Sequence, residues 1–198
     1  ERVNTNVYFP VSDLDAINLD DERWNRGICD MYTFQDKNYA LAPQGLLWGQ
    51  GLFVNTDLLA RKGVTENIYD MQRDGTWTWD KFLEFAQKAT TVDSSGNTEI
   101  WGVTESSTNL LRNMIVSFGA DLIIEVDGVP QFGLTQPKAL EALTFYQSLA
   151  IDEKVFLPQG EQSRTYGEEL FKAGRCAFYP GYPWFGANFA SMADDYAF

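Results

Sequence analysis

The chain contains no histidine. That absence removes His-activated nucleophiles and His-ligated metal centres from its chemistry. Cysteine is scarce, with only Cys29 and Cys176 in 198 residues. So distant a pair neither implies nor forbids a disulfide, and two buried free thiols are the plainer reading. Basic residues are few, 15 Lys plus Arg against 28 Asp plus Glu, for a net charge of −13. An excess of that sign argues against nucleic acid or an anionic membrane as partner and suits neutral or weakly charged ligands. No apolar run is long enough to cross a bilayer. The turn Asp93–Asn97 looks superficially like a calcium loop, but its ligand spacing and glycine position are wrong. Neither a metal nor a cofactor is expected.

What the chain does have is aromatic surface, 15% of residues, within an ordinary 44% hydrophobic content. The length supports a sizeable core and one or two domains. The organising stretch is Tyr39–Gly63. Its half-apolar start stops at Pro43, and Gly45, Gly49 and Gly51 follow with Trp48 among them. Glycine tolerates backbone angles that other residues avoid, so this run can bend. Leu52-Phe53-Val54 reads as a short strand. Asn55 is a helix N-cap, Leu58 and Leu59 the apolar face, and Gly63 the stop.

Upstream, Asp36-Lys37-Asn38 reads as a hairpin turn into a strand at Tyr39–Ala42, with Trp24, Tyr32 and Phe34 as packing residues. Downstream, Thr65–Gly75 reads as a polar linker. Thr78 then caps a helix whose buried stripe is Trp79, Phe82, Leu83, Ala86 and Ala89; Trp77 and Trp79 are read as structural. Glu99–Thr104 is a strand. Ser106-Ser107-Thr108 caps an amphipathic helix through Leu110, Leu111, Met114, Ile115 and Phe118, ended by Gly119. Asp127-Gly128 joins Leu122–Val126 to Val129–Phe132 in a hairpin. A helix from Gln136 to Glu153, with Thr135 as cap, packs through Leu140, Leu143, Phe145, Tyr146 and Leu149. Ser163 caps the helix Arg164–Ala173, Gly174 stops it, and Arg175–Tyr179 is a strand. The fold class is α/β.

Three segments carry a family resemblance. They are Tyr39-x-x-x-Pro43 with the glycine-rich crossing and Asn55-x-Asp57-Leu58-Leu59-x-x-x-Gly63; Thr78-Trp79-x-x-Phe82, with Lys81 where an acid is usual; and Glu168-x-x-Phe171-x-x-Gly174-Arg175-x-Ala177-Phe178. Together they resemble the extracellular solute-binding proteins of ABC importers, in particular sugar-binding family 1, which includes maltose-binding protein. The resemblance implies a type II periplasmic-binding-protein-like fold of two lobes, present here mainly as the C-terminal lobe with a piece of the N-terminal one. Residues 1–46 are then the remainder of the first lobe and the crossing strand, and residues 47–198 an incomplete C-terminal α/β lobe. A chain about twice as long is implied, so this sequence is expected to be part of one, with any signal segment already gone.

The same resemblance implies function. The chain is expected to belong to an extracytoplasmic binding protein, periplasmic or a cell-surface lipoprotein. It would capture an oligosaccharide or related polyol by hinge closure and, as a monomer, deliver it to ABC permease subunits. Trp184, in Pro183-Trp184, matches the position where sugar-binding relatives place a cleft aromatic. An indole suits the flat C–H face of a pyranose, whose rim hydroxyls need polar partners. Tyr182 and Phe185 extend the platform, Trp48 lies at the crossing, and Asn109 with Arg112 are the expected polar contacts. Arg112 reads equally well as part of a solvated helix face. A glycoside hydrolase fragment and a carbohydrate-binding module are the alternatives. Hydrolysis needs two facing carboxyls, one with a raised pKa; the acids here lie in turns and on polar faces, and no pair stands out. An enzyme is not expected.

Overall fold

A computed structural model describes residues 7–45, 49–105, 108–157 and 165–198. The chain forms two units, Glu1–Trp48 and Gly49–Phe198. In the first, Asn25 caps α1 (Arg26–Met31), its Oδ1 accepting from the Ile28 amide at 3.1 Å. A hairpin comes next, β1 (Thr33–Phe34) against β2 (Lys37–Asn38). Its turn is Gln35-Asp36, at φ 48° and 60°, one residue before the expected Asp36-Lys37-Asn38. Asn38 is therefore a strand residue, buried, with Nδ2 donating to the Cys29 carbonyl at 2.6 Å. Tyr39–Ala42 is not a strand; the segment is held by separate bonds and one isolated bridge, Trp24 to Pro43. Trp24 is half-buried, its Nε1 donating to the Asn18 carbonyl, whereas Tyr32 and Phe34, expected to pack, are exposed in this unit.

The second unit is built on a mixed sheet. β3 (Gly51–Asn55) leads into α2 (Thr56–Arg61), and Asn55 caps it as expected, accepting from the Leu58 amide at 2.8 Å. The Asn55 Nδ2 also donates to Asp194, which Arg61 grips with two further hydrogen bonds. The expected linker Thr65–Gly75 contains a short helix, α3 (Ile68–Arg73), capped by Asn67. Thr78 caps α4 (Trp79–Ala89) through the Lys81 amide. Phe82, Phe85, Ala86 and Ala89 are its buried residues; Phe85 joins the stripe, and Leu83 sits at its edge. Trp77 packs on Phe82, Phe85 and Phe178, and Trp79 on Phe82 with its Nε1 donating to Ser117. Both indoles are structural.

β4 (Thr91–Val92) turns at Asp93–Asn97 into β5 (Thr98–Thr104), after which come α5 (Asn109–Ser117) and the hairpin β6 (Ile123–Val126) with β7 (Val129–Phe132). Asp127 and Gly128 take φ 52° and 78°, as the Asp-Gly turn requires. α6 (Pro137–Ile151) buries Ala139, Ala142 and Leu149; Leu140 points outward and is exposed, and Thr135 forms no side-chain cap because it lies within a preceding 3-10 turn. β8 (Phe156–Leu157), α7 (Tyr166–Lys172), β9 (Cys176–Gly181), α8 (Gly186–Phe189) and β10 (Tyr196–Ala197) complete the unit. β9 starts one residue later than expected and runs two further. The expected caps Ser106, Ser107 and Ser163, and Trp48, lie outside the described residues.

The strand order is β10-β3-β9-β5-β4, with β8 also pairing β5. β9 is parallel to β5 and antiparallel to β3. One apolar cluster joins the sheet to α2, α4, α5 and α6; a second gathers Phe53, Leu170, Phe171, Tyr179 and Phe189. Both thiols are free and buried, and desolvation pushes Cys176 up to about 12. Gly102 is where α4 meets β5: a Cβ there would lie 2.5 Å from the Ala86 carbonyl oxygen. Backbone cannot yield as a side-chain tip can. Gly102→Ala is therefore expected to lower stability by about 1–3 kcal/mol, seen as an earlier urea midpoint; an unchanged midpoint would refute that packing.

Candidate functional site

Sheet topology brings three chain segments to one edge. Because β5 and β9 are parallel, their C-terminal ends open on the same side. Because β3 is antiparallel to β9, with Gly51 opposite Gly181, the start of β3 lies there too. The described residues just beyond these ends are Glu105, Thr108 and Asn109, Tyr182 to Phe185, and Gln50. In open α/β sheets the crevice outside the carboxyl ends of the strands is where ligands bind.

All six residues of β9 are buried, so the strand delivers its end firmly. Tyr182 is still extended, and Pro183 then starts a single 3-10 turn, Pro183–Phe185, its ring pre-setting φ for the first position. The Phe185 amide closes the turn on the Tyr182 carbonyl at 2.9 Å. This turn sets the Tyr182 and Trp184 rings parallel, centroids 4.2 Å apart and planes 9° from each other. Trp184 is 51% exposed. Phe185 meets both edge-on, at 6.0 and 6.2 Å, and is half-buried. It leans over Gly181, where a Cβ would come within 2.7 Å of its ring. Phe185 thus backs the pair rather than extending its open face.

Gln50 ties the polar side together. Its Nε2 donates to the Asn109 Oδ1 at 2.7 Å and to the Tyr182 hydroxyl at 2.6 Å. Asn109, the first residue of α5, is a polar side chain only 7% exposed. Arg112 lies one turn further along α5, exposed and in no ion pair among the described residues. Trp48 is outside the described residues. The structure therefore joins Tyr182, Trp184, Phe185 and Asn109 around Gln50, and leaves Arg112 on the adjacent surface.

Two residues were not foreseen. Gln50, between Gly49 and Gly51, carries no periodicity or motif; only the pairing of β3 with β9 reveals it. Glu105 is 3% exposed. Its Oε2 accepts from the Leu110 amide at 3.0 Å, and its Oε1 from the Tyr146 hydroxyl at 2.5 Å. A carboxylate from the strand end thus takes an amide in the first turn of α5, while Thr108 makes no cap bond. Desolvation raises the pKa of Glu105 against the lowering effect of these two bonds, and burial with the adjacent Glu105 raises that of Tyr146.

The arrangement offers a flat aromatic surface with amide and hydroxyl groups along its edge, which suits stacking and hydrogen bonding. Among the described residues no cluster of His, Cys, Asp and Glu could hold a metal ion. A cavity of about 700 Å³ opens elsewhere in the unit, lined by Leu52, Val54, Leu59, Ile68, Trp77 and Phe198 among others. Three polar groups on its wall are engaged in the fold: Asn67 caps α3, Tyr69 bonds Phe198, and Thr56 bonds Asp195. None of the expected site residues that are described lines it.

The whole second unit falls within a sequence match to the bacterial extracellular solute-binding protein family that runs over residues 5–198, and the chain belongs to that family. No curated protein matches it in sequence. Among solved structures it is similar to an ABC substrate-binding protein of Listeria monocytogenes in complex with cycloalternan, at 20% identity and TM-score 0.69, covering 98% of this chain and 47% of that one. It is similar to the GacH receptor of Streptomyces glaucescens, solved unliganded and with acarbose, at 16% identity and TM-score 0.72, covering 99% and 48%. A third is UgpB of Mycobacterium tuberculosis in complex with glycerophosphocholine, at 14% identity and TM-score 0.70, covering 98% and 46%. The chain thus has the α/β fold of these binding proteins and spans about half their length.

The buried Glu105 generates a pH prediction. A carboxyl whose folded pKa is raised contributes stability that is complete below its unfolded value of about 4.3 and is lost as pH rises through the folded value. Glu105→Gln is uncharged throughout and keeps an acceptor for Leu110. The stability of the wild type minus that of Glu105→Gln is expected to fall from pH 4 upward and then level off in denaturant titrations. A difference that rises with pH would contradict the burial effect.

Proposed function

We propose that the chain is part of the extracytoplasmic solute-binding component of an ABC importer, and that its ligand is an oligosaccharide or related polyol. The observation that carries this reading is the half-exposed Tyr182–Trp184 pair beside the amides of Gln50 and Asn109. A pyranose lays C–H groups on an aromatic face and turns hydroxyls to its rim, which is the pairing of surfaces found here. The cycloalternan- and acarbose-bound relatives support the ligand class. In this reading Trp184 stacks on the sugar, Tyr182 supports the stack and offers its hydroxyl, and Phe185 braces both. Asn109 and Arg112 hydrogen-bond the ligand, and Trp48 contributes from the crossing.

Residues 1–46 belong, on this proposal, to the first lobe and crossing strand, and 47–198 to the second lobe. Capture proceeds by lobe closure. The whole protein works outside the cytoplasm as a monomer, periplasmic or held at the cell surface as a lipoprotein, and hands its ligand to permease subunits. It is a binder rather than a hydrolase: the buried carboxylate at the end of β5, Glu105, is engaged as a helix cap, and no second carboxylate is paired with it among the described residues.

Calorimetry on the full-length protein with a panel of neutral oligosaccharides tests the reading. Trp184→Ala removes the stacking surface, a loss of about 1.5–3 kcal/mol, or roughly ten- to a hundredfold in Kd. Unchanged affinity would take Trp184 out of the site, and release of reducing sugar from the panel would favour an enzyme instead.

A further inference from the structure

We propose that Gln50 is the positioning residue of this site: its amide fixes the Tyr182 phenol in the stack and sets which way the polar groups point. The proposal rests on the ligand reading above for its consequence, but not for its structural content. A primary amide nitrogen has two N–H groups. Here one goes to Asn109 Oδ1 at 2.7 Å and the other to the Tyr182 hydroxyl at 2.6 Å. Both donors are used within the protein, and the sequence separations are 59 and 132 residues. A side chain at the start of β3 thereby links the end of β9 to the first residue of α5.

These two bonds set directions. The Tyr182 oxygen accepts from Gln50, so its own proton is left to donate, and it has no acceptor among the described residues. Asn109 accepts through Oδ1, so its two N–H donors face away from Gln50. The Gln50 Oε1 remains as acceptor. The cluster thus presents a phenol donor and an amide donor beside one acceptor, at the edge of a flat ring pair. An ether or hydroxyl oxygen of a sugar satisfies both donors, and a sugar O–H satisfies the acceptor; an ammonium group, a donor only, satisfies neither donor. The parallel stack depends on the same bond. Tyr182 is anchored by Gln50 at its hydroxyl and by β9 at its backbone, so its ring cannot swing away from Trp184, 4.2 Å off.

The test uses the full-length protein and two variants of one shape. Gln50→Met keeps the length without a donor; Gln50→Glu keeps the outline but offers only acceptors at neutral pH. The near-UV circular dichroism difference between wild type and Trp184→Leu marks the ring pair without ligand. Most of that difference band is expected to disappear in both Gln50 variants. With maltotetraose as probe, Gln50→Met is expected to weaken binding about tenfold when Tyr182 is present and about twofold or less in a Tyr182→Phe background. A merely structural glutamine would leave the band intact, with additive losses in the two backgrounds, and either result overturns the proposal. Should the wild type bind no oligosaccharide while the Gln50 variants lose the band, positioning holds and the sugar reading fails. If the wild type binds and the band survives in Gln50→Met, the sugar reading holds and positioning fails.

Discussion

The structure depends on one strand with neighbours on both sides. β9 hydrogen-bonds to β3 along one edge and to β5 along the other, and its side chains feed both apolar clusters. Backbone amides and carbonyls inside a core must be paired. A strand paired on both edges and buried throughout meets that demand and leaves its end little freedom. The residues after Gly181 are therefore presented from a fixed point. They are Tyr182-Pro183-Trp184-Phe185, a tight turn that could not hold two rings parallel if its base were loose.

The polar half of the site has a different origin. It depends on strand directions: a parallel neighbour supplies the start of α5, and an antiparallel one supplies Gln50. Glu105 ties the first of these down, joining the Leu110 amide at the start of α5 to the Tyr146 hydroxyl on α6. Gln50 then connects all three segments. Aromatic face and amide edge are thus set by separate physical causes, core burial for one and sheet topology for the other.

Local chemistry made much of the scaffold readable in advance. Asn55 and Thr78 announce helices because a short polar side chain can take an orphan amide. Asp127-Gly128 announces a hairpin because few other pairs accept two positive φ values. Trp184 and Tyr182 stood out because aromatics interrupted by Pro and Gly cannot all bury on one helical stripe. Failures came where non-local contacts decided. α3 was hidden in a polar stretch because it buries little beyond Met71. Leu140 looked like core on helical spacing, but the small Ala139 and Ala142 face inward at the contact. Glu105 takes the Leu110 amide and is held by Tyr146, 41 residues away, a contact that no local pattern announces. Gln50 has meaning only once β3 lies beside β9.

The central claim is that the ligand meets this chain at the ends of β9 and β5. Hydrogen–deuterium exchange on the full-length protein, with and without a saturating neutral oligosaccharide, tests it most directly. The account predicts slowed exchange over Gly181–Gly186 and Asn109–Arg112. Protection confined to the segments around the Phe198 cavity, with both of those stretches unchanged, would contradict it.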